Sequence, residues 1–352
     1  RFAEAMTLFA LACAGLFPIF HLGRPWLAFW LAPYPDSLQL NPQWRSPLVW
    51  DFFAINTYLT VSAIFWFIGM LPDLASMRDK AQNRFVKTLF GALSMGWRGD
   101  AEHWERYHKT VFLLAALATP LVISVHSIVA TDFAVGILTG WHHTNFPPYF
   151  VAGAVFSGLA LVVMITIPLR SLLGLQEMIT LKHFDNAGKL MLVTGLVVGL
   201  GYLGEIFAPW YTGHKEEVLV LASRTVGPYA PYFWMMIVFN VLATQLLWFK
   251  GMRTNLPRLF ALSLFILVGM WLERFIIVAS SLSIAFLPSM RKLFEPAVWD
   301  WATVLAPFGL FLVLVFLFIR FLPMNPMFET QELIEEESIH GRAVDASSAQ
   351  GD

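Results

Sequence analysis

Eight runs of roughly 20 predominantly apolar residues dominate the 352-residue chain, at 3–21, 50–72, 110–134, 148–172, 188–210, 231–250, 258–285 and 298–322. Coiled as an α-helix, a run of that length matches the hydrocarbon thickness of a bilayer. Lipid offers no partner to backbone N–H and C=O groups, so each span must satisfy them within itself. The runs predict an all-α, polytopic transmembrane protein. Charge agrees: Asp, Glu, Lys and Arg make up 13% of the chain, against about 25% in soluble domains. The formal net charge of −1 leaves no basic surface for nucleic acid. Prolines 72, 147, 148, 231, 257 and 323 stand at or near the ends of runs.

Basic residues orient the spans. The loop after the second run carries Arg78, Lys80, Arg84, Lys87, Arg98, Arg106 and Lys109, whereas 135–147 carries no Lys or Arg. Later loops add Arg170, Lys182 and Lys189, then Lys250, Arg253 and Arg258. This alternation expects loop 73–109 and the C-terminal tail on the cytoplasmic side of a bacterial inner membrane. Segments 22–49 and 135–147 then face a periplasm-like space. Loops 211–228 and 286–297 depart from the pattern with two basic residues each. Loop 73–109 is expected to hold an amphipathic helix at the interface. The tail after residue 323 turns acidic and then small and polar, a composition that favours disorder. The chain starts at Arg1, which reads as a fragment lacking its N-terminus.

The first two spans match the fifth and sixth at a constant offset of 184 residues. Gly15, Pro25, Trp26, Pro47, Trp50 and Asn56 fall on Gly199, Pro209, Trp210, Pro231, Trp234 and Asn240. Such a run suggests two helix bundles related by duplication and running the same way. The expected organisation is a remainder of a first four-helix bundle over 1–134, a second bundle over 148–285, a flanking helix at 298–322 and a tail at 323–352. His21 falls on Glu205 and Asp51 on Met235, so the first copy keeps more protonatable groups.

Those groups carry the chemistry. An ionisable side chain at mid-bilayer costs about 2.5–3.5 kcal/mol on insertion scales and marks a cavity, a proton route or a ligand. His21 ends the first span and Asp51 opens the second, both at the outer side, so they can meet across one pocket. His126 and Asp132 lie near the outer end of the third span. A base within hydrogen-bond reach is what oxidation of a quinol hydroxyl needs, and His has a suitable pKa. Trp26, Trp30, Trp44, Trp50 and Trp141 crowd the same side and can pack a quinone ring; the bland alternative is an interfacial aromatic belt. Asp51 has its own bland alternative as a helix cap. Glu205, Glu273, Arg274 and His126 read as a proton path, with structural ion pairing as the alternative. The single cysteine, Cys13, rules out within this chain a four-thiolate cluster, a disulfide, or C-x-x-C-H haem attachment. No metal ligand set stands out; His142 and His143 read as loop residues. A haem-b cytochrome with His21 and His126 as axial ligands, and a transporter, are competing classes.

The strings HLGRPW, SVHSIVATDFAVG, GWHHTNFPPYFVAGAVFSG and MWLERF resemble the NrfD-type, polysulfide-reductase-like membrane subunits over about residues 1–325. They look most like the first quinol-binding membrane subunit of bacterial alternative complex III. The resemblance implies ten helices, two of them upstream of Arg1, and oxidation of menaquinol or a similar quinol near the periplasmic face. Its quinol-site residues fall on His21, Asp51 and Asp132, with Trp50 beside them. Electrons would pass to a periplasmic iron–sulfur, molybdopterin-like subunit and on to c-type haem subunits, with a second NrfD-like subunit alongside and protons released or translocated. The alternative it leaves open is the quinol-binding anchor of a molybdenum enzyme of the polysulfide-reductase type.

Overall fold

The computed structural model describes residues 2–20, 24–32, 44–284, 288–323 and 327. Among them every regular element is a helix. In chain order these are α1 (Phe2–Ala14), α2 (Phe17–Phe20), α3 (Pro47–Lys80), α4 (Arg84–Leu93), α5 (Ala101–Ala134) and α6 (Phe146–Leu172), then α7 (Leu181–Thr212), α8 (Lys215–Thr225), α9 (Ala230–Ile237), α10 (Lys250–Arg253), α11 (Leu256–Ser283) and α12 (Val298–Phe321). Seven helical stretches of the described residues are long and apolar enough to cross a membrane. The protein is all-α and polytopic.

The first expected span is the exception. It forms α1, a single turn α2, and a break between them, where Gly15 N–H closes onto Leu11 O at 2.8 Å and Leu16 N–H onto Cys13 O. Thirteen residues rise about 20 Å, short of the roughly 30 Å hydrocarbon core. Pro18, which has no N–H to give, lies just beyond the break.

The chain divides into two compact units, one of residues 1–42, 52–121 and 298–352, the other of 43–51 and 122–297. In the first, α1 packs on α12 around Ala5, Met70, Leu74 and Phe318. Asn83 caps α4 by accepting from Phe85 N–H. Val86 and Phe90 are half-buried, while Phe85, Leu89 and Leu93 are exposed. The expected amphipathic helix is therefore present, with part of its apolar arc uncovered by the unit.

In the second unit α6, α7, α11 and the stretch 230–248 close into a four-helix bundle. Phe146, Phe156, Met191, Leu247, Leu259 and Ile266 are fully buried in its core. The stretch 230–248 is not one continuous α-helix: α9 passes into a π-turn over Val238–Leu242 and a 3-10 segment over Ala243–Trp248. That change of pitch displaces backbone bonds, and side chains take up carbonyls. Thr244 Oγ1 donates to Asn240 O at 2.8 Å and Gln245 Nε2 to Val241 O at 2.9 Å. Buried Arg253 gives Nη1–H to Leu247 O and Trp248 O, and Nε–H to Asp185 at 2.7 Å.

Candidate functional site

Asp51 is the fifth residue of α3, inside the helix, so it is not the cap. Its carboxyl lies within side-chain hydrogen-bonding reach of Asp132, near the end of α5. Two carboxylate anions are both acceptors, so this contact needs a proton on one partner. Asp51 Oδ1 is buried with no hydrogen-bond partner among the described residues. His126 and Asp132 stand six positions apart, which puts them on different but adjoining faces of α5. His126 Nδ1 lies 2.8 Å from Val122 O. A carbonyl only accepts, so Nδ1 carries a proton, and in the neutral imidazole the lone pair is then on Nε2. The charge of Arg274 on α11 reaches His126. The second unit thus brings together two pairs, Asp51 with Asp132 and His126 with Arg274. His21 lies outside the described residues.

The tryptophans separate. Trp50 is about 41% exposed, and its Nε1–H donates to Trp44 O at 2.7 Å. Trp141 instead gives its indole N–H to Ile277 O at 2.8 Å and packs its ring on Phe133. Trp141 is half-buried and packs against the core of the second unit.

Deeper in the bundle, Glu273 is 1% exposed. Its Oε2 accepts the Tyr202 hydroxyl at 2.6 Å, and the Tyr202 oxygen accepts Asn240 Nδ2–H at 2.7 Å. Arg274 Nη1 stands 3.3 Å from Glu273 Oε1, and its guanidinium lies 3.6 Å above the Phe150 ring. Glu205 Oε2 pairs with Arg224 Nη1 at 3.5 Å, both buried. Arg224 also donates to Ser280 and Ser281 Oγ at 2.8 and 3.2 Å. Burial pulls the Arg224 guanidinium below its ordinary value, and the Glu205 charge opposes that. Tyr149 Oη, Glu205 Oε1, Asn240 Oδ1, Glu273 Oε1 and Arg274 Nη1 are all buried without a hydrogen-bond partner among the described residues. The charges of Glu205, Glu273 and Arg274 all act on the Tyr149 hydroxyl. Native interiors leave few polar atoms unpaired, and such groups gather where a proton, water or ligand is handled.

A groove of about 690 Å³ runs along α6 and α7, lined by Pro148, Leu200, Gly204, Phe207 and Trp210. Tyr149 forms part of its wall, and its ring occupies the space a side chain at Gly201 would need. Neither Asp51 nor Asp132 lines the groove, so the acid pair lies elsewhere in the unit.

Tyr149, Tyr202, Asn240 and Arg224 escape a reading of charges inside apolar runs, because three are uncharged and the fourth lies in a loop. Two left traces. Asn240 belongs to the duplicated set, and Arg224 is one of the basic residues that breaks the loop pattern. Among the described residues no three His, Cys, Asp or Glu side chains converge as a metal site.

Compared with known families, residues 1–285 match the one described as "Polysulphide reductase, NrfD". A Halobacterium salinarum protein, named for a role as membrane subunit of a dimethyl sulfoxide reductase, is 28% identical over 172 residues, which cover 47% of this chain and 35% of that protein. The match therefore spans about a third of the relative's length.

Proposed function

The chain belongs to the NrfD polysulphide reductase family, and from that premise we propose that it is the quinol-oxidising membrane subunit of a respiratory oxidoreductase. The observation that carries this reading is the Asp51–Asp132 carboxyl pair, whose Asp51 Oδ1 has no hydrogen-bond partner among the described residues, with His126 six positions before Asp132 on α5. A quinol that becomes a quinone gives up two electrons and two protons. The ionised partner of the acid pair takes a hydroxyl proton, and His126 Nε2 is the second acceptor in this reading. Trp50 borders the pocket in this reading; His21, the further residue expected of the quinol site, lies outside the described residues. The pocket faces the periplasmic side of a bacterial inner membrane, with the C-terminal tail cytoplasmic. The quinol, a menaquinol in this reading, is a substrate; electrons leave to an iron–sulfur subunit of the complex. His126, Arg274, Glu273 and Glu205 form the proton path, with released or translocated protons passing through the buried polar cluster.

The parent complex admits two forms. One is alternative complex III, with c-type haem subunits and a second NrfD-like subunit. The other is a molybdenum reductase with an iron–sulfur, molybdopterin partner, favoured by the family's description and by the relative's name. Metal and haem analysis of the purified complex separates them: molybdenum for the second, covalently bound haem for the first.

Quinol-to-acceptor turnover of the complex carrying Asp51→Asn tests the site. The substitution keeps size and removes the base. Turnover is expected to fall by about 10²–10⁴-fold, the usual worth of a positioned base, with subunit content and cluster signals at wild-type level. Unchanged turnover in an intact complex would sink the assignment.

A further inference from the structure

Glu273 does not offer two equivalent oxygens. Its Oε2 receives the Tyr202 hydroxyl at 2.6 Å. The Tyr202 hydroxyl proton cannot point at Asn240 instead, because on that side its oxygen receives Asn240 Nδ2–H at 2.7 Å. The second Asn240 amide proton points to Met270 Sδ at 3.4 Å, so both partners of this nitrogen are acceptors. The chain of bonds therefore has one polarity, Asn240 to Tyr202 to Glu273. Oε1 has no hydrogen-bond partner among the described residues and faces Arg274 Nη1 at 3.3 Å.

Two backbone features hold this arrangement. The π-turn over Val238–Leu242 carries Asn240 near its centre, completely buried, and π-turns within helices recur at functional sites. Opposite it, Gly269 leaves no room for a Cβ. One built there would collide with Asn240 Oδ1 and come within 2.9 Å of Phe239 Cβ. A plain α-helical turn facing an alanine would not admit this amide.

We propose that Asn240 and Tyr202 are positioning residues that make Glu273 a one-sided carboxylate, with Oε2 held as a permanent acceptor and Oε1 as the oxygen that exchanges a proton. The step is a simple transfer: a proton arriving at Oε1 forms the acid, and its departure restores the anion beside Arg274. The charged and titratable groups around it are Arg274 on its own helix, Tyr202 and Glu205 on α7 and Tyr149 on α6, with Arg224 on α8 paired to Glu205. The inference rests on the proton-path reading for Glu273, but its geometry can be tested without it.

Infrared difference spectra of the purified complex near neutral pH read the protonation of this carboxyl. Wild type minus Glu273→Gln is expected to show carboxylate at position 273 and no carboxylic-acid C=O band. Tyr202→Phe removes one oxygen and the donor to Oε2. An acid C=O band is expected to appear in that variant and to vanish in Tyr202→Phe/Glu273→Gln. Gly269→Ala, which pushes Asn240 aside, is expected to raise the same band more weakly. Gly199→Ala, whose added methyl meets only ordinary contacts with Val241 at 3.7 and 3.8 Å, is expected to raise none. No band in Tyr202→Phe, or a band that survives the double substitution, overturns the proposal. Quinol-driven proton release by Glu273→Gln is a separate readout. If its proton-to-electron ratio is unchanged, the path reading fails while the infrared result still decides the positioning.

Discussion

His143 shows how one side chain can set a pH response. It sits half-buried in the loop before α6. Burial pushes its imidazole below the ordinary value of 6.5, with the Glu217 charge partly opposing and the Arg224 charge adding to the depression. A depressed base binds fewer protons folded than unfolded between its two pKa values, so stability rises with pH across that window. Its contribution is complete above about pH 6.5 and is lost as pH falls below it, since the unfolded imidazole titrates there. The thermal midpoint of the purified complex is expected to drop on acidification below about pH 6.5, and His143→Gln should flatten that part of the profile. An identical acid slope in the variant would assign the loss to other groups. Arg224 belongs to the same scale. It was visible in the sequence only as a loop cation out of place, and its partner Glu205 only as a carboxylate near a span end. Their pairing at 3.5 Å joins α8 to α7, a relation that no spacing along the chain encodes.

Among the elements, the stretch 230–248 departs most from expectation. Its hydropathy predicts a plain span, and it does run the expected length, yet a π-turn and a 3-10 segment replace the regular ladder. The residues that make this tolerable are polar and local. Thr244 and Gln245 cover two carbonyls, and Arg253 covers two more. Arg253→Leu would leave Leu247 O, Trp248 O and Asp185 without its bonds. Lys189 still pairs with Asp185, which limits the damage. Leaving buried acceptors unmade costs about 1–3 kcal/mol, and a loss of that order is expected in denaturant unfolding of the detergent-solubilised complex. Unchanged stability would mean that water or lipid headgroups replace the guanidinium. The duplication gains a physical reading here as well. Asn56, the counterpart of Asn240, sits in regular helix and donates to Phe52 O at 2.7 Å, whereas Asn240 reaches across to Tyr202. The same residue at the same register does different work because only one copy of the helix is broken.

For the molecule as a whole, the arrangement of loops about the membrane is the property most open to experiment. The basic loop around Arg98 is expected on the cytoplasmic side and the loop around His142 on the other, and both residues are exposed. Cys13 is the one cysteine of the chain and is buried, so Cys13→Ser is a suitable background. Arg98→Cys should react with a membrane-impermeant thiol reagent only in inverted vesicles, and His142→Cys only in right-side-out ones. Labelling of both from the same side would refute the orientation read from charge.

The order of residues alone establishes that this is an all-helical membrane protein, where seven of the spans run, and which charged groups lie inside them. Lipid thickness and the need to satisfy every backbone bond are constraints that each segment meets alone, so they can be read segment by segment. The family was legible for a related reason: strings such as MWLERF and FPPYFVAGA are contiguous. Which groups meet is a matter of packing. The folded chain sets Asp51 against Asp132, Tyr202 between Asn240 and Glu273, and Trp141 against the core. Those relations depend on helix rotation, on a π-turn and on glycines that admit close approach. A hydrogen bond requires distances within about 3 Å, and such distances between remote residues are fixed only when the helices pack.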